Sequence, residues 1–217
     1  MSIADKVLRL LYPPKCAFCR KLIEASPHGV CPDCMKKLPY AAGGAAVQKF
    51  PFVKACTAPF YYENEVRDSL LRYKFGKTTA YASIYAKFLR KSIDENLNNC
   101  DIITWVPLSR RRLRQRGYDQ ARLICEETAK LLGTNCMQLL RKKHDTPAQS
   151  RTGGADKRRA NISGVYEVID TVAVENKDIL LIDDIVTTGS TFSECARMLL
   201  MAGAKNVYCA AVARHRD

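Results

Sequence analysis

The sequence predicts an α/β fold in which a mostly parallel sheet is flanked by helices and preceded by a small cysteine-rich module. Apolar segments with the character of strands alternate with amphipathic segments of helical period, which is typical of right-handed βαβ units. Four cysteines stand in two close pairs near the N-terminus. A length of 217 residues allows one sizeable core and a small appendage. We therefore divide the chain into an N-terminal module at residues 1–45 and an α/β domain at residues 46–217.

The first half of the chain holds a short helix, the cysteine cluster, a linker and the start of the α/β domain. Residues 1–11 have amphipathic spacing and are stopped by two prolines. Residues 41–46 contain two glycines and no periodicity, which predicts a linker. Residues 53–62 alternate as a strand does. Residues 65–75 and 78–91 are predicted helices, the second with apolar side chains at i, i+3, i+4, i+7 and i+8.

The second half continues the alternation. A short apolar strand at 101–106 is ended by Pro107, and a helix at 119–132 is ended by Gly133. Residues 141–161 are polar and basic and contain proline and glycine, so we predict a long mobile loop there. The remaining predicted elements are a strand at 179–182, a helix at 191–201 and a strand at 206–213.

Composition excludes several classes of protein. Hydrophobic residues make up 47% and charged residues 26%, unlike a disordered, collagen-like or coiled-coil chain. No apolar run approaches the ~18 residues that a membrane-spanning helix needs, so we expect no membrane span. The apolar positions near the N-terminus are interrupted by Asp5, Lys6 and Arg9, unlike those of a secretory signal. We therefore expect a cytoplasmic location.

The charge of the chain is strongly positive and unevenly distributed. Lys and Arg number 35 against 22 Asp and Glu, a formal net charge of +13. Residues 107–160 hold 14 basic and 5 acidic residues, a net of +9. Clustered positive charge indicates partners that carry phosphate, either small molecules or nucleic acid. The sequence charge does not distinguish the two.

The four N-terminal cysteines predict a zinc site. Cys16, Cys19, Cys31 and Cys34 form the pattern C-x2-C-x11-C-x2-C, and two such pairs supply the four soft ligands of tetrahedral zinc. Because protein sulfur fills every position, we expect a structural rather than a catalytic metal. The alternatives are four free buried thiols, which the polar character of residues 15–35 disfavours, or a ligand role for His28.

The other six cysteines are scattered, and several lie within apolar runs. A reducing compartment keeps thiols free, so we expect small buried side chains rather than disulfides. They are Cys56, Cys100, Cys125, Cys136, Cys195 and Cys209.

Residues 179–191, with the sequence ILLIDDIVTTGST, contain the second chemical motif. Asp183 and Asp184 follow four apolar residues of a strand, at the edge where open α/β sheets bind ligands. The turn that follows is rich in hydroxyls and glycine and leads into a helix, an arrangement that binds anions through backbone amides. Carboxylates accept hydrogen bonds from ribose hydroxyls, so the motif fits a ribose 5-phosphate. The alternative is that these side chains only cap a turn and a helix.

These thirteen residues resemble the motif that binds phosphoribosyl pyrophosphate (PRPP) in type I phosphoribosyltransferases. Other segments resemble the ComF/GntX family of competence-protein-F-like proteins, and together they cover essentially the whole chain. These segments are the cysteine cluster, Tyr73-Lys74-Phe75, residues 106–121, Arg141, residues 146–149, Arg158 and Asn161. Many relatives have a further cysteine pair near the N-terminus where this chain has AAGGAAVQ, so we expect one zinc and not two.

The resemblance implies a type I phosphoribosyltransferase fold that binds PRPP together with Mg²⁺. It assigns the catalytic role to Asp183 and Asp184, and phosphate binding to Thr187, Thr188, Gly189, Ser190 and Thr191. Ser109, Arg110 and Arg111 then lie in the loop for pyrophosphate, although these arginines could instead face solvent. We expect no C-terminal hood over an acceptor base, and only residues 36–75 could supply one.

The resemblance also implies a role in DNA uptake during natural transformation, with single-stranded DNA and a helicase as partners. The basic residues that we expect to contact nucleic acid are Arg112, Arg114, Arg116, Lys142, Lys143, Arg158 and Arg159. Two alternatives remain open. One is an active phosphoribosyltransferase with an unknown acceptor, and the other is a regulator that binds PRPP without turnover.

Overall fold

The computed structural model describes residues 13–23, 29–41, 47–97, 99–143 and 164–216. The predicted helix at 1–11, most of the linker at 41–46 and most of the loop at 141–161 lie outside these residues. The predicted domain boundary between residues 45 and 46 lies outside them as well.

A mostly parallel sheet forms the centre of the described part of the chain, as predicted. Its strands lie in the order β1-β2-β9-β8-β4-β5, and β3 also pairs with β9. Every pairing is parallel except that of β1 with β2. The strands are β1 (Val47–Phe50), β2 (Val53–Thr57), β3 (Phe60–Tyr61), β4 (Ile102–Trp105), β5 (Asn135–Cys136), β8 (Asp178–Val186) and β9 (Asn206–Arg214). A separate antiparallel pair consists of β6 (Leu140–Lys142) and β7 (Tyr166–Val168).

Helices cover both faces of this sheet. They are α1 (Pro32–Lys37), α2 (Asn64–Phe75), α3 (Tyr81–Asn96), α4 (Arg110–Arg116), α5 (Gln120–Leu132), α6 (Thr171–Val174) and α7 (Ser190–Met201). Apart from the undescribed residues, no helix is long and apolar enough to cross a membrane.

Strand β8 lies near the middle of the sheet and separates two apolar cores. Its side chains alternate between the cores: Leu180 and Ile182 face the side of α2, α3 and α5, while Ile179 and Leu181 face the side of α7. Both faces are covered, which explains the continuous apolar sequence of β8. Strand β4 is shorter and ends at Trp105, opposite Ile182. Asp183 and Asp184 therefore lie just beyond the end of β4.

The cysteine module shares the first of these cores. Phe18 is fully buried and makes edge-to-face contacts with Phe60, Tyr85 and Phe88, at ring-centroid distances of 5.7, 6.4 and 6.1 Å. Aromatic pairs of this geometry add to the stability that comes from buried area. The module is thus packed against α3 and β3 rather than attached only through a linker.

Candidate functional site

The four N-terminal cysteines converge, as the zinc prediction requires. Their sulfur atoms all lie within 4.8 Å of one another, and Cys19 Sγ is 3.6 Å from Cys31 Sγ. Four ligands at ~2.3 Å from a tetrahedral zinc stand about 3.8 Å apart, so the cluster needs little adjustment to hold the ion. His28 lies outside the described residues.

Backbone amides donate to two of the sulfur atoms of this cluster, those of Cys16 and Cys31. The amide of Cys31 donates to Cys16 Sγ at 3.4 Å, and the amide of Cys34 donates to Cys31 Sγ at 3.4 Å. Burial raises the pKa of Cys16, but hydrogen bonds from the backbone of Cys31, Cys19 and Phe18 lower it more, to about 7. The thiolate is the form that binds zinc. The cluster is a structural zinc site, because protein sulfur supplies all four ligands.

A second site lies where β4 and β8 end. A cavity of about 230 Å³ opens there between the loop after β4, the end of α2 and the start of α7. Its polar lining combines cations, two carboxylates and hydroxyls. These side chains are Lys74, Ser109, Arg112, Arg116, Gln120, Lys142, Tyr166, Asp183, Asp184 and Thr191.

The two carboxylates of the cavity have different surroundings. Asp184 Oδ2 forms an ion pair with Lys74 Nζ at 3.0 Å. The side chain of Asp184 is only 11% exposed and that of Lys74 only 17%. Burial, followed by the nearby charge of Asp184, raises the pKa of Asp183 well above its ordinary value, while Lys74 acts in the opposite direction. Asp183 Oδ1 also accepts the amide of Asp184 at 2.7 Å. The two carboxyl groups therefore differ: Asp184 is ion-paired with Lys74, whereas burial raises the pKa of Asp183.

The turn between β8 and α7 is shaped by Gly189. Gly189 adopts a left-handed conformation with φ of 69° and precedes α7 without a side-chain cap. The hydroxyls of Thr188 and Ser190 are 2.8 Å apart. Gly189 also lies under the ring of Phe50, whose Cδ1 would be 2.2 Å from an added Cβ. The β1–β2 hairpin thus approaches this turn closely, and only glycine fits there.

The loop after β4 is held in place by Asp119. Asp119 Oδ2 accepts the amide of Leu108 at 3.1 Å, while Oδ1 accepts the amide of Arg122 and caps α5. Burial raises the pKa of Asp119. Ser109 lines the cavity and caps α4 by accepting the amide of Arg112 at 3.4 Å. One carboxylate therefore fixes both the loop and the helix that border the cavity.

The structure brings together some of the predicted phosphate-binding residues and separates others. Ser109 and Thr191 line the cavity with the acidic pair, whereas Arg110 and Arg111 are exposed on α4 and are not part of the lining. Thr187 and Thr188 are exposed on the turn that precedes α7.

The predicted nucleic-acid residues are divided in the same way. Arg112, Arg116 and Lys142 line the cavity. Arg114 is exposed on α4, and Lys143 pairs with Glu167 at 3.3 Å. Arg158 and Arg159 lie outside the described residues.

Lys74 has no assigned role in the sequence prediction, although it is the cation in direct contact with the acidic pair. It belongs to the segment Tyr73-Lys74-Phe75, which carries part of the family resemblance. The one sequence signal is this position at the end of a predicted helix, and it does not show which part of the sheet the helix end reaches. Arg116, predicted as a nucleic-acid contact, lies in the cavity, donates to Gln120 Oε1 at 2.7 Å and stands over the ring of Phe75.

Comparison with known proteins finds two matching domain types in this chain. Residues 7–47 match the double zinc ribbon domain, and residues 127–217 match the phosphoribosyl transferase domain. Competence protein F of Haemophilus influenzae is 24% identical, over 92% of this chain and 90% of its own length. The chain is therefore similar to competence protein F over most of the length of both proteins.

Two other relatives match over most of their length. Competence protein ComFC of Streptococcus pneumoniae is 27% identical, over 88% of this chain and 84% of its own. The DNA utilization protein YhgH of Escherichia coli K12 is 26% identical, over 91% and 96%. Although residues 7–47 match a double zinc ribbon, they contain four cysteines, enough for one zinc.

Among solved structures, the chain is similar to a glutamine PRPP amidotransferase from B. subtilis, with 18% identity and a TM-score of 0.45. The match covers 64% of this chain and 30% of the amidotransferase, so the chain spans less than a third of that protein. An adenine phosphoribosyltransferase from Thermoanaerobacter pseudethanolicus matches over 78% of this chain and 95% of its own, with 15% identity and a TM-score of 0.40.

Proposed function

We propose that this protein binds PRPP, or a related 5-phosphorylated ribose, in the cavity where β4 and β8 end, and that it serves the handling of DNA in the cytoplasm. The observation that carries the proposal is the composition of that cavity. Two carboxylates, Asp183 and Asp184, stand beside the anion-binding turn before α7 and opposite a group of cations. A ribose with phosphate at both ends requires these three features together.

The acidic pair and the turn suit the sugar and its 5-phosphate. Carboxylate oxygens accept hydrogen bonds from the ribose 2- and 3-hydroxyls, and hydrogen bonds to charged groups are each worth about 1.5–3 kcal/mol. Backbone amides at the start of α7 point toward the turn and favour an anion. Thr187, Thr188, Ser190 and Thr191 add hydroxyl donors around Gly189.

The cations of the cavity suit the pyrophosphate group. Lys74 of α2, Arg112 and Arg116 of α4 and Lys142 of β6 line it. Arginine donates two parallel hydrogen bonds to phosphate oxygens, which gives both affinity and orientation. When bound with PRPP, Mg²⁺ neutralises part of the pyrophosphate charge. We keep Ser109, Arg110 and Arg111 as proposed contacts, with the two arginines reaching in from the exposed face of α4.

The same cavity supports either transfer or sensing. In transfer, the bond between C1 and the pyrophosphate oxygen breaks, an acceptor attacks C1, and Asp183 and Asp184 stabilise the positive charge that develops on the ring. In sensing, PRPP binds and pyrophosphate is not released. Measuring pyrophosphate release in the presence of nucleobases separates these two activities.

A role in DNA handling is supported by the relatives and by α4. The relatives carry the names competence protein and DNA utilization protein. Five of the seven residues of α4 are arginine, and Arg110, Arg111 and Arg114 are exposed. Exposed arginines bind nucleic-acid phosphates in a salt-dependent manner. We propose single-stranded DNA as the polymer, with a helicase as a protein partner.

The first experiment is calorimetric titration of the zinc-loaded protein with Mg²⁺–PRPP, with ribose 5-phosphate and pyrophosphate as partial ligands. We expect the double variant Asp183→Asn/Asp184→Asn to lose at least about tenfold in affinity for PRPP, because it weakens acceptors for two hydroxyls. Its affinity for pyrophosphate should change far less. Asp68→Asn, an exposed acid on α2, is the matched control. Equal binding by the double variant and the wild type, or no binding by the wild type, contradicts the proposed ligand site.

A salt titration with single-stranded DNA tests the second part. The logarithm of affinity should fall linearly with the logarithm of salt concentration, by about 0.7 for each phosphate contact. The triple variant Arg110→Gln/Arg111→Gln/Arg114→Gln should reduce this slope by about 2. An affinity that does not respond to salt contradicts backbone contacts.

A further inference from the structure

The side chain of Arg72 joins α2 to the zinc module. Its Nη2 donates to the carbonyl oxygens of Ala17 at 3.0 Å and Phe18 at 2.5 Å. Ala17 and Phe18 are the two residues between Cys16 and Cys19, so one guanidinium binds the turn that carries two zinc ligands. The hydroxyl of Ser69, one turn earlier on α2, donates to the same carbonyl of Ala17 at 2.8 Å.

The Arg72 guanidinium is partly buried where it contacts the zinc-binding turn. Within the described residues, Arg72 Nε is buried and has no hydrogen-bond partner. An unpaired buried donor costs stability, so the remaining contacts of the guanidinium must compensate for it. The two carbonyl bonds to the zinc-binding turn supply this compensation.

The same helix end places Lys74 in the cavity. Residues two apart on a helix point about 200° away from each other. Arg72 accordingly contacts the zinc module while Lys74 reaches Asp184 at 3.0 Å. The last turn of α2 therefore has the zinc site on one side and the ligand cavity on the other.

Tyrosines hold this last turn against α5. Tyr73 donates its hydroxyl to the carbonyl of Gln120 at 2.9 Å, and the hydroxyl of Tyr118 donates to the carbonyl of Tyr73. Gln120 itself lines the cavity. Because these hydrogen bonds restrict rotation of the last turn of α2, a shift of the zinc-binding turn should change the position of Lys74.

We infer that Arg72 is a positioning residue that couples the zinc module to Lys74, so that the zinc site maintains the geometry of the ligand cavity. Loss of zinc frees the turn at Ala17 and Phe18, so Arg72 no longer has fixed acceptors. The last turn of α2 is then held by its tyrosine contacts alone, and Lys74 separates more readily from Asp184. The effect on PRPP affinity rests on the proposed ligand, whereas the effect on Lys74 does not.

The direct test uses the reactivity of Lys74. The zinc-loaded protein, the Arg72→Met variant and the zinc-depleted protein are labelled with an amine-reactive acetylating ester, and each lysine is quantified by peptide mass spectrometry. We expect Lys74 to react about tenfold faster in the variant and in the zinc-depleted protein, a coupling of ordinary size. Lys205, an ion-paired lysine at the amino end of β9 and so at the other end of the strands, should keep its rate and thereby show that the fold is intact.

Zinc release gives the reciprocal measurement. Transfer of zinc to a chromogenic chelator should be severalfold faster in Arg72→Met than in the wild type, because the zinc-binding turn has lost its hydrogen bonds to the guanidinium. Arg67→Met is the matched control, since Arg67 lies on the same helix and is exposed. An unchanged Lys74 rate in a zinc-retaining Arg72→Met protein overturns the inference whether or not PRPP binds.

A double-mutant cycle then asks whether Arg72 acts on the ligand through Lys74. Arg72→Met should weaken binding of Mg²⁺–PRPP by about tenfold in the wild type and have little effect in a Lys74→Met background. Equal losses in the two backgrounds contradict the coupling. A wild type that binds no PRPP refutes the proposed ligand instead, and the labelling result still decides the coupling.

Discussion

Replacing Lys74 with methionine tests the electrostatics of the cavity without a ligand. The change keeps most of the apolar stem and removes the ammonium that lies 3.0 Å from Asp184. Removing one partner of a buried ion pair costs about 3–5 kcal/mol, and we expect about 3 kcal/mol here because both side chains retain some exposure. For a chain of this size, that loss lowers Tm by about 6–12 °C.

The loss should depend on pH through Asp183. The folded-state pKa of Asp183 is already raised by burial and by Asp184, and Lys74 partly offsets this. A carboxyl whose pKa is higher in the folded than in the unfolded state destabilises the protein as pH rises above the unfolded value of about 4 and through the folded pKa. Without Lys74 that pKa rises further, so the gap between variant and wild type should widen with increasing pH.

Urea denaturation between pH 5.5 and pH 8, with zinc content checked at each pH, measures this gap. Lys91→Met is the control, because Lys91 is exposed and its ion pair with Glu95 is long, at 3.9 Å. It should show no measurable change at either pH. No loss of stability in Lys74→Met relative to Lys91→Met, or a loss that becomes smaller with increasing pH, would refute the assignment of Lys74 as the charge partner of the acidic pair.

Three further predictions concern the surroundings of the two sites. Gly189→Ala should destabilise the protein by about 1–2 kcal/mol through its positive φ and by more through contact with Phe50, and Phe50→Ala in the same chain should relieve only the second part in denaturation experiments. Elemental analysis should find one zinc per chain, none in Cys34→Ser and one in Cys100→Ser; two zinc ions per chain would contradict the single cluster. Asp119→Ala should cost about 1–2 kcal/mol in denaturation experiments through loss of the α5 cap and the Leu108 contact, while Asp119→Asn, which retains an acceptor oxygen, should cost much less.

The long helices and strands could be predicted because each buries apolar side chains that recur at regular positions in the sequence. Helix α5 and strand β9 lie within one residue of their predicted bounds. Helix α3 begins at Tyr81 rather than at residue 78, since the carbonyls of Thr78 and Thr79 form a turn there, and it continues to Asn96. The predicted strand at 53–62 is two strands, β2 and β3, which pair with successive parts of β9 on either side of a break.

The short elements were missed because tertiary contacts or caps, rather than periodicity, define them. Helix α4 has one leucine among five arginines and therefore no apolar stripe. It is delimited by Ser109 as cap and by Gly117, which has a left-handed φ of 82°. Strand β1 is partly exposed at the edge of the sheet. The ring of its Phe50 packs over Gly189, a contact between residues that are far apart in sequence.

The same distinction applies to the candidate site. Asp183, Asp184 and the turn after them occupy consecutive positions, so their chemistry is visible in the sequence. The cations that face them come from α2, α4 and β6, and no local pattern specifies which basic residues of those segments reach the cavity. Arg110 and Arg111, which follow the strand directly, point outward, whereas Arg112 and Arg116 point inward because they are four residues apart and share one face of α4.

The position of Lys74 bears on whether the site catalyses transfer or only binds. A cation 3.0 Å from Asp184 offsets the negative charge that would stabilise a positive ribose ring in a transition state. If Lys74 keeps this contact when PRPP binds, the acidic pair serves binding more than transfer. If Lys74 turns toward the pyrophosphate, the carboxylate is released for the ring and the leaving group gains a positive partner. The conformation of the Lys74 side chain in the ligand complex would therefore separate the two proposed activities, sensing and transfer.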